Sequence, residues 1–204
     1  IKPSYGLRQR KPPSSNWEDI RLSDIGCFEI QFLDRHGDDV EVPPKILPQI
    51  FRILEEQLFT AAGQLNDIET VYFQTPTCYP NREINGEENI TEAGKFMSWF
   101  IQLFDQMAHH SPELATAHAT TWPHKDPFFF RKLKLYAFSK GSVFKADLAA
   151  EAALAFDQAS FWDEDVVREL LFLLVDRWRE FSREIKIRLV DRILAGPDHL
   201  SYSS

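Results

Sequence analysis

The sequence predicts an all-α fold, built as an irregular, solenoid-like stack of helices. Two observations support this class. Apolar residues recur at helical spacing from residue 43 onward, and helix-length segments follow one another over residues 126–199 with very short connections. Segments such as 127–139 and 144–157 have the length of paired helical-repeat units, although no exact repeat is present. We therefore favour a solenoid over a closed bundle.

Composition narrows the function classes. The 204 residues can bury a substantial core, and an aromatic content of 13% fills that core with large rigid side chains. The net charge of −8 and the lack of an obviously basic face argue against nucleic-acid binding. No signal peptide or long apolar run is present, so no membrane segment is expected.

Cysteine usage and the chain ends suggest where the protein works. Cys27 and Cys78 show neither metal-ligand spacing nor a disulfide-dense pattern, which indicates a reducing, cytoplasmic setting. The chain begins with Ile1 and stops in a serine-rich stretch soon after its last predicted helix. We expect it to be a piece of a longer protein.

The N-terminal region differs from the rest. Residues 1–16 are basic and proline-rich, and are interpreted as a linker or arm. Alternating apolar and polar residues in 27–42 predict a small β-hairpin, which makes 17–42 a decoration on the helical domain. The helical domain itself covers 43–204.

Three helices are predicted in the first half of this domain, over residues 47–65, 91–109 and 111–120. The first two carry a continuous apolar stripe, and Ser111-Pro112 is a start signal for the third. A polar loop at 70–88 separates the first two helices, and its length is typical of a functional or partner-facing segment.

Four further helices are predicted after residue 125. The first begins at Asp126-Pro127, and a second, rich in alanine, covers about 144–157. A long helix is expected from a Ser160 cap to about Glu180, with apolar positions that include Leu171 and Trp178. The last helix begins at Ser182 and ends at Gly196, and the short break before it predicts an antiparallel hairpin with the long helix.

Histidines are the first candidates for chemistry. Several fall close together with an acidic neighbour: His109, His110, Glu113, His118 and His124. Metal sites on helices usually place ligands four residues apart, whereas adjacent histidines diverge by about 100° and Pro112 interrupts the helix. We predict no metal and no cofactor.

Three other charged patterns also have structural explanations. Arg192 and His199 fit a loose ribonuclease spacing, but Gly196-Pro197 ends the helix between them. The acidic run 163–165 suits the first turn of a helix better than acid–base catalysis. The interleaved charges between Arg177 and Arg192, with Glu184 and Arg188 as an i, i+4 pair, predict a solvated helix face.

Aromatic residues are the predicted partner-binding site. Three consecutive phenylalanines cannot all point inward from one helix, so at least one should face a neighbouring element or a partner. The residues assigned to partner binding are Trp122, Phe128, Phe129, Phe130, Tyr72, Phe73 and Tyr79. The alternative is that flanking layers and the 70–88 loop cover them all.

A family resemblance rests on aromatic and apolar strings near the C-terminus. They include Trp122-Pro123, Asp126-Pro127-Phe128-Phe129-Phe130, Phe161-Trp162-Asp163, Arg177-Trp178 and Arg192-Ile193-Leu194-Ala195-Gly196-Pro197. Over about residues 120–198, the chain resembles the helical region that follows the sirtuin-like domain in large bacterial antiphage-defence proteins. The resemblance implies a non-catalytic sensor or scaffold arm, with any NAD-hydrolysing chemistry elsewhere in the parent protein.

Together these patterns predict a non-enzymatic interaction or scaffold module whose partner is another protein or another copy of the chain. A small enzyme with a histidine-centred site is the alternative, and metal analysis separates the two.

Overall fold

The computed structural model describes residues 41–66, 77–79, 92–123, 125–126, 128–163 and 165–197. All regular secondary structure in these ranges is helical, which confirms the all-α prediction there. The helices are α1 Leu47–Asn66, α2 Glu92–His110, α3 Pro112–Thr121, α4 Phe130–Ser139, α5 Ala146–Leu154, α6 Gln158–Phe161, α7 Val167–Arg177 and α8 Arg183–Ala195, with a 3-10 turn at Trp178–Glu180 after α7. The predicted arm at 1–16 and all but the last two residues of the 17–42 hairpin segment lie outside the described residues.

Helices α1 to α3 match the predicted bounds within one or two residues. Their shared core is aromatic: the Phe51 and Phe100 ring centroids lie 4.6 Å apart, and Phe104 lies 5.3 Å from Trp122. These rings are almost wholly buried. Each aromatic ring buries a large area and loses little rotamer entropy when it is ordered. A few such rings can therefore hold α1, α2 and α3 together.

The first five helices pack in order along the chain. Helix α1 packs on α2, α2 on α3 and α3 on α4, after which α4 contacts both α5 and α7. Helix α8 packs on α5, and the most extensive of these contacts joins α4 to α7. Within the described residues, α1 and α8 therefore lie at opposite ends of the sequence of contacts.

The predicted long helix from Ser160 is wrong. A short helix, α6, ends at Phe161, and its N-cap is Asp157. Asp157 Oδ1 accepts the Ser160 N–H at 2.7 Å, and this hydrogen bond lowers the pKa of the Asp157 carboxyl. Helix α7 begins only at Val167. Between them, Asp163 Oδ1 accepts the Asp165 N–H at 3.0 Å. A short acidic side chain that bonds nearby backbone competes with helix continuation, so the acidic run forms a break instead of a first turn.

The predicted hairpin of the last two helices is also wrong. Helix α7 directs its buried residues, such as Leu170 and Leu173, into the core beside α4. Helix α8 instead buries Ile185 and Leu189 and packs on α5. Polar contacts reinforce that choice: Asp147 accepts the Ser182 N–H at 2.9 Å, and Arg188 pairs with Glu151 instead of the predicted Glu184.

Several predicted helix ends are confirmed. Ser182 Oγ accepts the Ile185 N–H, and Gly196 ends α8 with φ of 70°, a conformation that favours glycine. Asp126 Oδ2 accepts the N–H groups of Phe129 and Phe130 at 2.7 and 2.6 Å. Asp126 therefore satisfies backbone N–H groups just before α4, but Phe129 holds the N-cap position and the helix begins at Phe130, later than the predicted start at Asp126-Pro127.

Three basic side chains satisfy backbone carbonyls where helices end. Lys134 Nζ donates to Trp122 O at 2.8 Å after α3, and burial lowers the pKa of this lysine. Arg177 Nη1 donates to Phe138 O at 2.8 Å in α4 and to Phe144 O at 3.0 Å. Arg192 donates to carbonyls at the end of α5: Leu154 O, Phe156 O and Asp157 O. Arg177 is only 3% exposed, so the predicted solvated face does not include it.

Replacing Arg177 tests this carbonyl capping. Arg177→Met keeps much of the apolar stem but leaves two buried carbonyls without their donor, so the free energy of unfolding should fall by about 2–5 kcal/mol. Urea denaturation followed by circular dichroism measures the change. Arg179→Met, at a solvent-exposed neighbour, should change it by less than about 0.5 kcal/mol. Equal losses in the two variants would contradict the capping role.

Candidate functional site

The structure places four of the predicted partner-binding aromatics in the core. Trp122, Phe129, Phe130 and Tyr79 are each less than a tenth exposed. The turn at 128–129 precedes α4, so successive side chains leave the backbone in different directions and meet different neighbours. In this fold their rings are unavailable to a partner, and the expectation that they are exposed is corrected. Phe128 is half-buried, while Tyr72 and Phe73 lie outside the described residues.

The contacts of these rings explain their burial. Phe130 stacks on Phe59 with centroids 4.2 Å apart, and Tyr79 meets Tyr136 edge-on at 5.0 Å. Trp122 Nε1 donates to Glu55 Oε1 at 2.6 Å, so its polar edge is satisfied inside the protein. The alternative that flanking layers cover the string is therefore correct for these residues.

The histidines that the structure describes do not converge. His109 and His110 are exposed at the end of α2, whereas the half-buried His118 lies on α3 with Nδ1 2.8 Å from Glu55 Oε2. His124 lies outside the described residues. In the described ranges, no group of three metal-ligating side chains comes together. The geometry gives no support to a histidine-centred site there.

Glu55 ties α1 to α3. Its two oxygens contact Trp122 Nε1 and His118 Nδ1, and the His118 ring lies edge-on to Phe51 at 5.1 Å. A nearly buried carboxylate with two nitrogen partners is stable without a ligand, because its charge is hydrogen-bonded on both sides. We interpret this group as a structural link.

A second buried polar group surrounds Glu169, a residue that was not among the predicted sites. Glu169 is fully buried, and its Oε1 accepts the Cys78 N–H at 3.2 Å and the Thr77 hydroxyl at 3.4 Å. The interaction joins segment 77–79 to α7. Glu169 lies three residues after Val166 and four before Leu173, so the period of the buried positions could have placed it inside.

Cys78 has the environment of a structural thiol. Burial, followed by the nearby Glu169 charge, raises the pKa of Cys78 well above its ordinary value. Lys132 and Arg168 oppose that shift but do not reverse it. Since the thiolate is the reactive form, this site disfavours nucleophilic chemistry.

The remaining catalytic candidates are also occupied by structural contacts. Asp163 pairs with Arg131 at 2.8 Å. Arg192 donates to backbone carbonyls and lies 4.2 Å from the Phe161 ring centroid. His199 lies outside the described residues, and so does Glu164 in the acidic run.

A polar network on α4 links it to α2. Tyr136 donates its hydroxyl to Asp105 Oδ2 at 2.7 Å, and Lys140 Nζ lies 2.8 Å from Asp105 Oδ1. The lysine also lies over the Tyr136 ring at 4.2 Å. Burial, with the Asp105 charge and hydrogen bond, raises the pKa of Tyr136 far above its usual value.

Two exposed apolar surfaces are the strongest candidates for function. The α7 face consists of Leu171, Val175 and Trp178, and Val175 is 73% exposed. The α8 face consists of Ile187, Val190, Ile193 and Leu194, and Leu194 is 79% exposed. Seven of the twelve large apolar side chains that are exposed in the described residues belong to these two faces. Leu171 and Trp178 were predicted to belong to the apolar stripe of the long helix, so the α7 face was not predicted from the sequence.

No protein-family model, curated protein or solved structure matches the chain. Among the helices described, none has the length and apolar character needed to cross a membrane.

Cys78 should resist alkylation in the folded protein. Its burial and raised pKa leave little accessible thiolate at pH 8, so iodoacetamide should label it far more slowly in buffer than in urea. Mass spectrometry of the peptide that contains Cys78 measures the label without interference from Cys27. Labelling at similar rates in both solutions would contradict its buried position.

Tyr136 should contribute to alkaline unfolding. Its pKa is raised in the folded state, so its stabilising effect is present below the unfolded value of about 10 and is lost as pH rises above it. Tyr136→Phe should lower the free energy of unfolding by about 1 kcal/mol at pH 8, because the hydrogen bond to Asp105 is lost. Between pH 8 and pH 10.5 the variant should then lose less stability than the wild type. Urea denaturation at both pH values measures this. Parallel losses in wild type and variant would contradict it.

Proposed function

We propose that the chain is a non-enzymatic protein-interaction module that binds another protein through the α7 face. The observation that carries this proposal is the exposed row Leu171, Val175 and Trp178 on an otherwise well-packed helix. Isolated exposed apolar residues are common on protein surfaces, but an aligned group is typical of an interaction site.

The spacing of the α7 face suggests the kind of partner. Leu171 and Val175 lie four residues apart on α7, and Trp178 follows three residues later in the 3-10 turn, so the three residues extend one apolar row past the end of the helix. Such a stripe fits the apolar side of an amphipathic helix from the partner. Exposed Asp176 and Arg179 lie beside it and would form the polar rim that surrounds the apolar centre of an interface.

The support behind the α7 face favours binding without rearrangement. Helix α7 makes its most extensive contacts with α4, and buried Arg177, next to Trp178, holds carbonyls of Phe138 and Phe144. The Trp178 ring also contacts Phe181 edge-on at 6.2 Å. A rigid surface loses little conformational entropy on binding, which helps a small apolar stripe to provide affinity.

We further propose that the helices form a solenoid-like arm of a larger bacterial protein of the antiphage-defence type. Sequential packing of α1 on α2, α2 on α3, α3 on α4 and α4 on α5 supports the solenoid arrangement. The C-terminal strings that resemble the helical region of sirtuin-like defence proteins support the parent class. In this proposal the arm is cytoplasmic, needs no cofactor and acts as a sensor or scaffold.

A charged substitution on the α7 face tests the proposed function. Immobilised wild-type chain should retain one partner stoichiometrically from its native cytoplasm, and Val175→Asp should reduce that retention at least about tenfold, which corresponds to about 1.4 kcal/mol. Quantitative mass spectrometry of the retained proteins measures the difference. Val175 is already exposed, so the free energy of unfolding should change by less than about 0.5 kcal/mol.

Leu148→Asp is the matched control, because Leu148 is a similarly exposed apolar residue on α5. It should leave retention unchanged. Equal retention by the wild type and Val175→Asp, or an equal loss in Leu148→Asp, would overturn the assignment of the α7 face.

A further inference from the structure

The contact between Glu55 of α1 and His118 of α3 lies beside a cavity of about 470 Å³. Its volume is in the range of small-molecule sites. Arg52 on one side of it is 72% exposed, so the cavity is open to solvent there. The lining consists of His118 and four residues from the first two turns of α1: Pro48, Gln49, Arg52 and Ile53.

Two contacts fix the orientation of the His118 ring. Its Nδ1 lies 2.8 Å from Glu55 Oε2, and the ring lies edge-on to Phe51 with centroids 5.1 Å apart. Glu55 is held on its other side as well, because its Oε1 accepts the Trp122 Nε1–H at 2.6 Å. The imidazole is therefore positioned by the protein, although 20% of the His118 side chain is exposed.

The contact with Glu55 also determines which ring nitrogen is available. A carboxylate can only accept a hydrogen bond, so Nδ1 of the neutral ring carries the hydrogen and Nε2 carries the lone pair. Within the described part of the chain, the contact at Nδ1 is the only polar contact of the ring. Nε2 is thus a nucleophilic atom on a ring that lines the cavity.

The charge of the cavity favours an anionic reactant. Among the described residues that line it, Arg52 is a cation and none is acidic. Arg52 pairs with Glu56 at 3.2 Å, but both side chains are largely exposed, so this ion pair is weak and a stronger anion can replace it. A guanidinium group matches the oxygens of a phosphoryl group. One cavity therefore combines a nucleophile with a group that binds phosphoryl oxygens.

We propose that His118 is a phosphoryl-acceptor site, modified at Nε2 by a donor of the phosphoramidate class. The Nε2 lone pair attacks the phosphorus atom, and the P–N bond of the donor breaks. The donor nitrogen, already protonated, leaves with the bonding electron pair as a neutral amine or ammonia. Nδ1 keeps its hydrogen, and Glu55 stabilises the positive charge that develops on the ring, while Arg52 binds the phosphoryl oxygens.

This site goes beyond the proposed interaction function and does not depend on it. It lies on α1 and α3, whereas partner binding is assigned to the α7 face. It also differs from the predicted histidine cluster, because a single histidine carries it and no metal is needed. The chain accepts the phosphoryl group and is not required to act as an enzyme.

Reaction of the 204-residue chain with potassium phosphoramidate tests the proposal. Tandem mass spectrometry at alkaline pH, where phosphohistidine survives, measures the labelling of each histidine. His109 and His110 are internal controls, because both are more exposed than His118. His118 should nevertheless be labelled at least about tenfold faster than either, since only its ring is held by a carboxylate beside Arg52. Labelling of His109 or His110 at the same rate or faster would overturn the proposal.

Two variants separate positioning of His118 from a general effect on the fold. Glu55→Gln keeps the size of the side chain but removes the charge that holds the Nδ1 hydrogen, so the labelling of His118 relative to His109 should fall at least about tenfold. Trp122→Phe removes the other hydrogen bond of Glu55 and should leave this ratio unchanged. Circular dichroism should show that both variants remain folded. An equal fall in the two variants, or no fall in Glu55→Gln, contradicts the inference.

Arg52→Gln tests the preference for a phosphoryl group. With phosphoramidate, labelling of His118 should fall at least about threefold, because the cation that binds the phosphoryl oxygens is lost. With diethyl pyrocarbonate, an uncharged reagent that acylates imidazole nitrogen, the rate at His118 should not change. A similar loss with both reagents, or no loss with phosphoramidate, would show that Arg52 does not bind the phosphoryl group and would sink the proposal.

Discussion

The structure depends on satisfying the backbone carbonyls that helix ends bring into the interior. A stack of short helices has many C-terminal ends, and each of them leaves carbonyl groups without intrahelical donors. Lys134, Arg177 and Arg192 supply donors at the ends of α3, α4 and α5. Without these donors, close packing of the layers would bury unpaired carbonyls at a cost of about 1–3 kcal/mol for each group. The three basic residues therefore allow short helices to pack closely although their ends lie in the interior.

The charged residues that satisfy buried polar groups are distinct from the surfaces that are free to bind a partner. Arg177, Arg192 and Glu169 have bonding partners inside the protein, and Glu55 links two helices. Arg192 resembles a catalytic residue in the sequence because its spacing to His199 fits a loose ribonuclease pattern. The contacts of these four residues show that they hold the stack together. Most of the large apolar side chains that are exposed in the described residues lie on the outer sides of α7 and α8.

The helices with one clear apolar side and a strong start signal were predictable from the sequence. Helices α1 and α2 have that pattern, as do the Ser182 start and the Gly196 end of α8. The break between α6 and α7 was not predictable, because the Asp163 carboxylate bonds local backbone where the apolar pattern continues. The packing of α8 on α5 depends on contacts such as Arg188 with Glu151, more than thirty residues apart. Local periodicity does not contain that information.

The candidate surfaces show a similar division. The aromatic string around Phe129 and Phe130 suggested exposure, yet its irregular start lets the rings point into different parts of the core. The α7 face was hidden for the opposite reason. Leu171 and Trp178 appeared to belong to one broad apolar stripe, but burial follows Leu170, Leu173 and Leu174 instead. When the apolar stripe of a helix is wider than the neighbouring helix can cover, some of its residues stay exposed.

The basic side chains also determine when the helix ends can be completed as the chain is synthesised. Arg177 reaches back 39 residues to Phe138 and Arg192 reaches back 38 residues to Leu154. During translation, α4 and α5 therefore leave the ribosome well before the side chains that complete their ends. The backbone carbonyls at the ends of α4 and α5 therefore stay hydrated until Arg177 and Arg192 have been synthesised. The C-terminal helices thus act as a latch, and the last part of the stack should gain its native protection from hydrogen exchange as one cooperative unit.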